Sequence, residues 1–456
     1  MLKYSITLLS LAISAAFITN AEASPEASRV EMARYAGTPR EFGKSFGQRY
    51  HDRLQKSQKV WLKRAEANKI SSKKLLAMAM PMVKVVEKIA PHWIEEASAA
   101  AEAAGLDRDL YIAQMFYIGP TVTGGRGWFR PELQDDCTTY TLSRQFTEGK
   151  ATFFHRTRDN SPGKQTGAIW ELDVPGVNKF MAVTYTGSKS VSVMVNEKGL
   201  AASADMGGPS ATKSKDTGMM NGLMLRYIAE KASDTSEALK IVEEFVENGW
   251  YAGGKPGTRW TFTDSRGITM DVSHSSDKGS VSARQVETKS YITRTWGGIG
   301  GKILETLNEP VTFTDFRRVS RNPGAKINKG RNSIAGMTIK IHPKYPEYLT
   351  SAWFSFPAAS LAFPLYMGGT KTPLPLLDGS IYELCAGLPN DCEAWEKMEK
   401  KLFSKAALLE KKVEELIEKK QIPQAREMID RWTGEITAEH LLFLEKTLQE
   451  KEKQAN

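Results

Sequence analysis

The stretch Asp135-Asp136-Cys137-Thr138-Thr139-Tyr140, followed by His155-Arg156-Thr157-Arg158-Asp159, holds the residue types needed to attack an amide carbonyl. That reaction requires a nucleophile, a base for its proton, a cation that lowers the nucleophile's pKa, and donors for the oxyanion. Cys137 supplies a thiol. If the Asp136–Cys137 bond is cut, the new α-amino group, with a reference pKa of ~8, supplies the base and no catalytic histidine is required. Arg156 has the charge to hold a thiolate, and Asp159 the charge to orient an α-ammonium. Lying three apart in an extended segment, they reach one pocket only where a turn begins, which Asn160-Ser161-Pro162-Gly163 provides. On spacing alone a surface ion pair at a hairpin end is the simpler account of Arg156 and Asp159. A core cysteine in a strand is the competing reading of Cys137, and a packed strand histidine is the simpler reading of His155.

Cysteine usage favours reactivity at Cys137. The chain has three cysteines, and Cys385 and Cys392 enclose the turn-rich Ala-Gly-Leu-Pro-Asn-Asp. In an oxidising compartment those two are candidates for a disulfide, which leaves Cys137 as the odd thiol. The compartment itself follows from residues 1–23: Lys3, an apolar run from Ile6 to Ile18, and Ala21-Glu22-Ala23 read as a secretory signal. An uncleaved anchor is the other reading of that segment. Export to a periplasm or to the exterior is therefore expected, with no membrane span left after signal removal.

The elements that must position these residues change character at Cys137. From Arg40 to Gln114 the periodicity is helical, with segments to Asn68, from Ser72 through Ile89, from Ile94 to Ala104, and from Leu110 to Phe116 behind a cap at Asp107. Gly119 to Pro131 is rich in breakers, as an accessible processing site needs. After Cys137 the period becomes two: Cys137–Leu142, Thr152–Arg158, Lys179–Tyr185, Val191–Val195 and Leu200–Met206 read as strands, with a hairpin turn at Asn196-Glu197-Lys198-Gly199. A helical pair follows, Met219–Ala232 and Thr235–Asn248, the second capped by Asp234. Strands resume at Arg259–Thr263, Thr269–Ser273, Val281–Val286 and Ser290–Thr295, with a further aromatic pair inside Ser351–Tyr366. Runs of strands broken by a helical pair point to stacked antiparallel sheets with helices outside. From Trp395 onward, Glu, Lys and Leu at helical spacing read as a solvated amphipathic tail, broken near Gln421-Ile422-Pro423; a partner-binding helix is the other reading.

Composition narrows the function classes. The 456 residues carry a formal net charge of +9, with Lys interleaved with Glu rather than in blocks, which does not indicate nucleic-acid binding. The six histidines show no metal-ligand spacing and there is no phosphate loop, so neither a metal nor a cofactor is expected.

Asp136-Cys137-Thr138-Thr139, then Thr147-Glu148-Gly149-Lys150, then Arg156-x-x-Asp159, resembles the start of the N-terminal nucleophile hydrolases. The chain is most similar to three branches: isopenicillin N acyltransferase-like peptidases, dipeptidase A-like peptidases and choloylglycine hydrolases. The Cys-Thr-Thr start and Phe363-Pro364-Leu365-Tyr366 with Gly368 resemble the dipeptidase branch. Asn196-Glu197-Lys198-Gly199-Leu200 is similar to a turn of the bile-salt branch. Pro91-His92-Trp93-Ile94-Glu95-Glu96 with Ala100 to Leu106 is similar to the acyltransferase branch. The resemblance implies an α+β, four-layer αββα sandwich over 137–392, a helical prosegment and linker over 24–136 that stays associated with the mature chain, and a helical extension over 393–456.

It also implies autocatalytic cleavage between Asp136 and Cys137 and hydrolysis of linear amide bonds in a small amide or peptide substrate. By motif, Cys137 is the nucleophile, Thr139 a supporting hydroxyl, and Arg156 and Asp159 flank the thiol and amino group. Arg318, in Phe313-Thr314-Asp315-Phe316-Arg317-Arg318, falls where those families keep a late active-site Arg. Two positions depart from the pattern: the expected oxyanion-hole Asn residues appear as Asp205 and Arg294. An ionised carboxylate cannot donate, whereas Arg294 can, so either Asp205 and Arg294 form a substituted, salt-bridged site or competence is reduced. Acyl transfer and a catalytically silent envelope binding or scaffold protein are the alternatives to hydrolysis, and a homo-oligomer is compatible with any of them.

Overall fold

A computed structural model of the protein describes residues 31–119, 137–159, 165–254, 256–277, 279–293, 299–322, 333–387 and 392–455. The described residues open with a strand, β1 (Glu31–Gly37), and five helices: α1 (Pro39–Arg49), α2 (His51–Ala67), α3 (Ser72–Ile89), α4 (Pro91–Ala103) and α5 (Arg108–Phe116). Strands β2 (Thr138–Leu142), β3 (Thr152–Asp159), β4 (Gln165–Leu172), β5 (Phe180–Tyr185), β6 (Val191–Asn196) and β7 (Ala201–Gly208) precede the helical pair α6 (Asn221–Lys231) and α7 (Thr235–Glu247). Then come β8 (Gly257–Thr263), β9 (Thr269–His274), β10 (Val281–Gln285), β11 (Ser290–Ile292), α8 (Ile299–Glu305), α9 (Phe313–Val319), β12 (Ser333–Ile341), α10 (Pro346–Leu349), β13 (Ser351–Ser355) and β14 (Phe363–Tyr366). Helices α11 (Leu374–Leu377), α12 (Ser380–Gly387), α13 (Cys392–Glu418) and α14 (Ile422–Ala455) complete it.

The strands form two sheets. One has eight strands in the order β1-β4-β5-β6-β7-β8-β9-β10, and the other six in the order β11-β2-β3-β12-β13-β14. Strand alternation sorts their side chains into layers. On β4 and β5, Ile169, Met181 and Val183 join Phe154 and Met337 between the sheets. Ala168, Trp170, Phe180 and Ala182 point the other way, into a second core with Phe42, Trp61, Trp93 and Leu225 from α1, α2, α4 and α6. On the far side, Phe313 and Phe316 of α9 and Trp395, Leu402 and Phe403 of α13 cover the six-stranded sheet. The layering is αββα, as the resemblance implies.

Three features differ from expectation. The segment before Cys137 is not helical throughout: β1 pairs in parallel with β4, Ala33 opposite Ala168, as the edge of the larger sheet. Strand β4 carries apolar side chains on both faces, Ile169 on one and Ala168 and Trp170 on the other, so the period of two that marks a half-exposed strand is missing from it. The terminal helices break where Gln421-Ile422-Pro423 indicates, but they form a packed layer: Trp395, Val413, Ile429 and Leu444 are buried against the six-stranded sheet and its helices. Cys385 is a free, buried thiol whose pKa burial pushes up to about 12. The expected Cys385–Cys392 bridge is not made, because Cys385 faces the core beside Tyr382 rather than the turn; the Cys392 side chain lies outside the description.

The N-terminal helices attach through close packing and buried charge. A Cβ at Gly43 would stand 2.2 Å from the Glu96 carbonyl oxygen, and one at Gly47 2.4 Å from that of Ala100, so these glycines let α1 lie against α4. Nearby, Arg226 of α6 donates to Glu96 at 2.6 and 2.9 Å and to Glu230 at 2.8 Å. Glu230 also meets His92 at 2.8 Å and accepts from Trp93 Nε1 at 2.9 Å. All of these groups are buried. Arg226→Met leaves Glu230 buried without its cation and Glu96 with only Lys189, 3.5 Å away, and is expected to lower unfolding free energy by about 3–5 kcal/mol, read by urea denaturation.

Candidate active site

Strands β2 and β3 pair antiparallel with Thr139 opposite Arg156 and Tyr140 opposite His155. Opposed residues share a face, so this register separates two environments. On one face, Tyr140 donates to the Phe316 carbonyl at 3.1 Å, and His155 is held by Thr338 at 2.8 Å and Thr157 at 3.0 Å. Burial, with Arg317 and Arg321 nearby, drives the His155 pKa well below its usual value. This histidine is a neutral packing group, in agreement with its sequence reading, and no base for Cys137.

The other face looks across to β7 of the larger sheet. Thr139 donates from Oγ1 to Asp205 at 2.8 Å and lies 2.8 Å from Ser203 Oγ. Arg156 donates through Nη2 to the Ala204 carbonyl at 2.7 Å, with Asp205 Oδ1 3.1 Å away. Arg156 and Asp205 are both buried, and Arg156 Nε and Nη1 make no hydrogen bond. Cys137, half-buried at the head of β2, lies beside this pair. Burial pushes its thiol pKa up; Arg156 pulls it down, Asp205 opposes, and Arg158 and the Asp159 backbone amide add to the downward pull.

Cys137, Thr139, Arg156 and Asp205 are thus brought to one cleft between the sheets. Asp159 joins through its backbone amide, while its carboxylate accepts from Ser333 at 2.6 Å. The edge of the site is pinned by β11: the Thr139 amide donates to Thr293 Oγ1 at 3.0 Å, and the Thr293 amide to the Thr139 carbonyl at 2.9 Å. Asp136 and Arg294 lie outside the described residues.

One assignment is corrected. Arg318 is exposed on α9, where it donates to Glu396 of α13 at 2.9 Å in the outer helical layer. Its neighbour Arg317 points inward, but to Ser355 and the Ala358 and Ser360 carbonyls, behind the sheet that carries Cys137. Among the described residues Asp205 pairs with Arg156, because β7 faces β3 across the cleft; a pairing with Arg294 falls outside them. Sequence reasoning missed Ser203, Arg158 and Tyr185. Ser203 and Arg158 were available by alternation, two residues from Asp205 and Arg156 respectively, whereas Tyr185 depends on how the sheets stack. Arg158 sits with its guanidinium carbon 3.7 Å from the Tyr185 ring centroid. Among the described residues no group of His, Cys, Asp and Glu is placed to hold a metal ion, and no helix is long and apolar enough to cross a membrane.

The family model described as acyl-coenzyme A:6-aminopenicillanic acid acyl-transferase matches residues 146–295. This stretch carries Arg156, Asp159 and Asp205. No curated protein matches the chain. Among solved structures, penicillin V acylase from Agrobacterium tumefaciens is similar at 13% identity, over 51% of this chain and 86% of its own, with a TM-score of 0.36. A variant of conjugated bile acid hydrolase from Clostridium perfringens is similar at 9% identity, over 51% of this chain and 92% of its own, with a TM-score of 0.34. The Caenorhabditis elegans N-acylethanolamine-hydrolyzing acid amidase ortholog is similar at 8% identity, over 46% of this chain and 95% of its own, with a TM-score of 0.34.

Proposed function

We propose that the chain is an N-terminal nucleophile hydrolase with the activity of an exported, self-processing cysteine amidohydrolase that cleaves linear amide bonds of peptides or N-acyl compounds. One observation carries it: Cys137 lies at the head of β2 beside a buried arginine, Arg156, whose position is fixed by Asp205 and the Ala204 carbonyl and whose Nε and Nη1 remain unbonded. Asp205 does not need to donate to an oxyanion in this arrangement. It holds Arg156, and Arg156 keeps the donors.

The first substrate is the chain itself. The Cys137 thiol attacks the Asp136 carbonyl, the acyl group passes from nitrogen to sulfur and so frees the Cys137 α-amine, and water then hydrolyses the thioester, releasing the Asp136 α-carboxylate and restoring the thiol. In turnover that amine takes the thiol proton, and the thiolate attacks the substrate carbonyl. The oxyanion is met by Arg156 N–H groups, and the leaving amine departs with the proton as an acyl-thioester forms. Water then adds to the thioester, the carboxylic acid leaves, and the thiol is restored. The N-terminal segment remains bound after cleavage through β1 and the Arg226 charge cluster. An amine in place of water gives acyl transfer, the second reading, which the description of the 146–295 family favours.

Intact-mass measurement on purified protein is expected to find a chain of residues 137–456, and acid-quenched mixtures with an N-acyl amino acid are expected to show that chain carrying one acyl group. A chain that retains residues before Cys137 and gains no acyl mass overturns the proposal. Added amine diverts the acyl group from acid to new amide if transfer is the physiological outcome.

A further inference from the structure

The register places Thr139 opposite Arg156 and ends at Thr138 opposite Thr157; one residue further along it stand Cys137 and Arg158, and the Arg158 charge acts on the Cys137 thiol. Arg158 is the residue two beyond Arg156 on the same strand, so both project into the cleft between the sheets. The neighbouring cations are committed. Arg156 is tied to Asp205. Arg259, which lies opposite Asp205 on β8, is bound at both ends of its guanidinium by Asp271, at 2.8 and 2.7 Å, and Arg284 shares that carboxylate. Arg158 differs: it makes no ion pair or hydrogen bond to a described residue, is half-buried, and rests on the face of Tyr185, 3.7 Å from the ring centroid.

A guanidinium stacked on an aromatic face is fixed in orientation, while its N–H groups remain in the plane of the stack. Those in-plane donors match the two oxygens of a carboxylate. An arginine partly withdrawn from water, beside a nucleophile and without a carboxylate of its own, is a site for an anion that arrives with the substrate. The distance available is short, since opposed residues in an antiparallel pair have Cα atoms only ~5 Å apart. The anion must therefore lie within a few bonds of the carbonyl under attack. An α-carboxylate on the leaving amine meets this condition, being two bonds from the scissile nitrogen.

We propose that Arg158, seated on Tyr185, binds a substrate carboxylate, so that the amides cleaved at Cys137 are N-acyl α-amino acids or the C-terminal bonds of short peptides. This specificity rests on the amidohydrolase reading above, but the anion site can be tested apart from it. The kinetic comparison uses an N-acyl amino acid and its C-terminal carboxamide. The wild-type protein is expected to favour the carboxylate about 10- to 100-fold in kcat/KM, mostly through KM. In Arg158→Leu that ratio falls to near one, and Arg158→Lys recovers part of it. A wild-type ratio near one, or one unchanged in Arg158→Leu, overturns the proposal. If neither compound is turned over, the hydrolase reading fails on its own. Calorimetric binding of the same two compounds to wild-type and Arg158→Leu protein then decides the anion site: a carboxylate preference lost in the variant supports it, and equal binding overturns it.

Discussion

Cys137→Ala is expected to leave the chain uncut before position 137 and to reduce amide hydrolysis on the order of 10⁴-fold or more. In the proposed mechanism the two effects share one cause, because the same sulfur attacks the Asp136 carbonyl and the substrate carbonyl. The side chain is only half-buried at the head of a strand, so circular dichroism and melting temperature should stay close to wild type. Cys137→Ser separates the two steps. A hydroxyl can support slow processing at this position, but its high pKa leaves turnover well below that of the thiol. Intact mass reads the first step and release of free amine reads the second. A Cys137→Ala chain that is still cut would assign processing to another protease. One that is uncut yet active would remove Cys137 from the chemistry altogether.

The accuracy of the sequence reading depended on what each feature needs. Asp107 and Asp234 mark helix starts because a carboxylate can accept from the free amides of a first turn, and both do so, from Leu110 and from Ser236 and Glu237. That information is local. Motif order singled out Cys137, Thr139, Arg156 and Asp205, and β2, β3 and β7 bring these four side by side. Arg318 failed because a one-residue step on a helix turns a side chain by about 100°, and here the step separates the inward Arg317 from the exposed Arg318. Strand β1 was invisible because a parallel edge strand takes its partner from β4, more than a hundred residues on, and nothing in Glu31–Gly37 itself states that pairing. For Asp205 the sequence leaves a salt-bridged site and reduced competence both open. Its type alone says that it cannot donate, while its contacts pair it with Arg156, which can.

Arg156→Leu tests that last point and should be the most damaging substitution after loss of the nucleophile. It strands Asp205 in the cleft with Thr139 as its remaining donor, at an expected cost of about 3–5 kcal/mol in unfolding free energy. It also removes the cation and the unbonded N–H groups beside Cys137, for which a loss of about 10²- to 10³-fold in kcat is expected. The sign of the pH effect is fixed by the charge. Arg156 pulls the Cys137 thiol pKa down, so its removal leaves burial less opposed, and the ascending limb of the pH–rate profile moves to higher pH. A purely structural arginine would lower activity and stability together without moving that limb. Asp205→Asn completes the comparison. It keeps an acceptor for Thr139 and removes the buried negative charge, so the double variant Arg156→Leu/Asp205→Asn should regain much of the stability lost in Arg156→Leu while remaining inactive. If Asp205→Asn alone raises turnover above wild type, the carboxylate is a brake on the site and wild-type competence is reduced by it. If it lowers turnover, Asp205 serves the reaction by holding Arg156 in place.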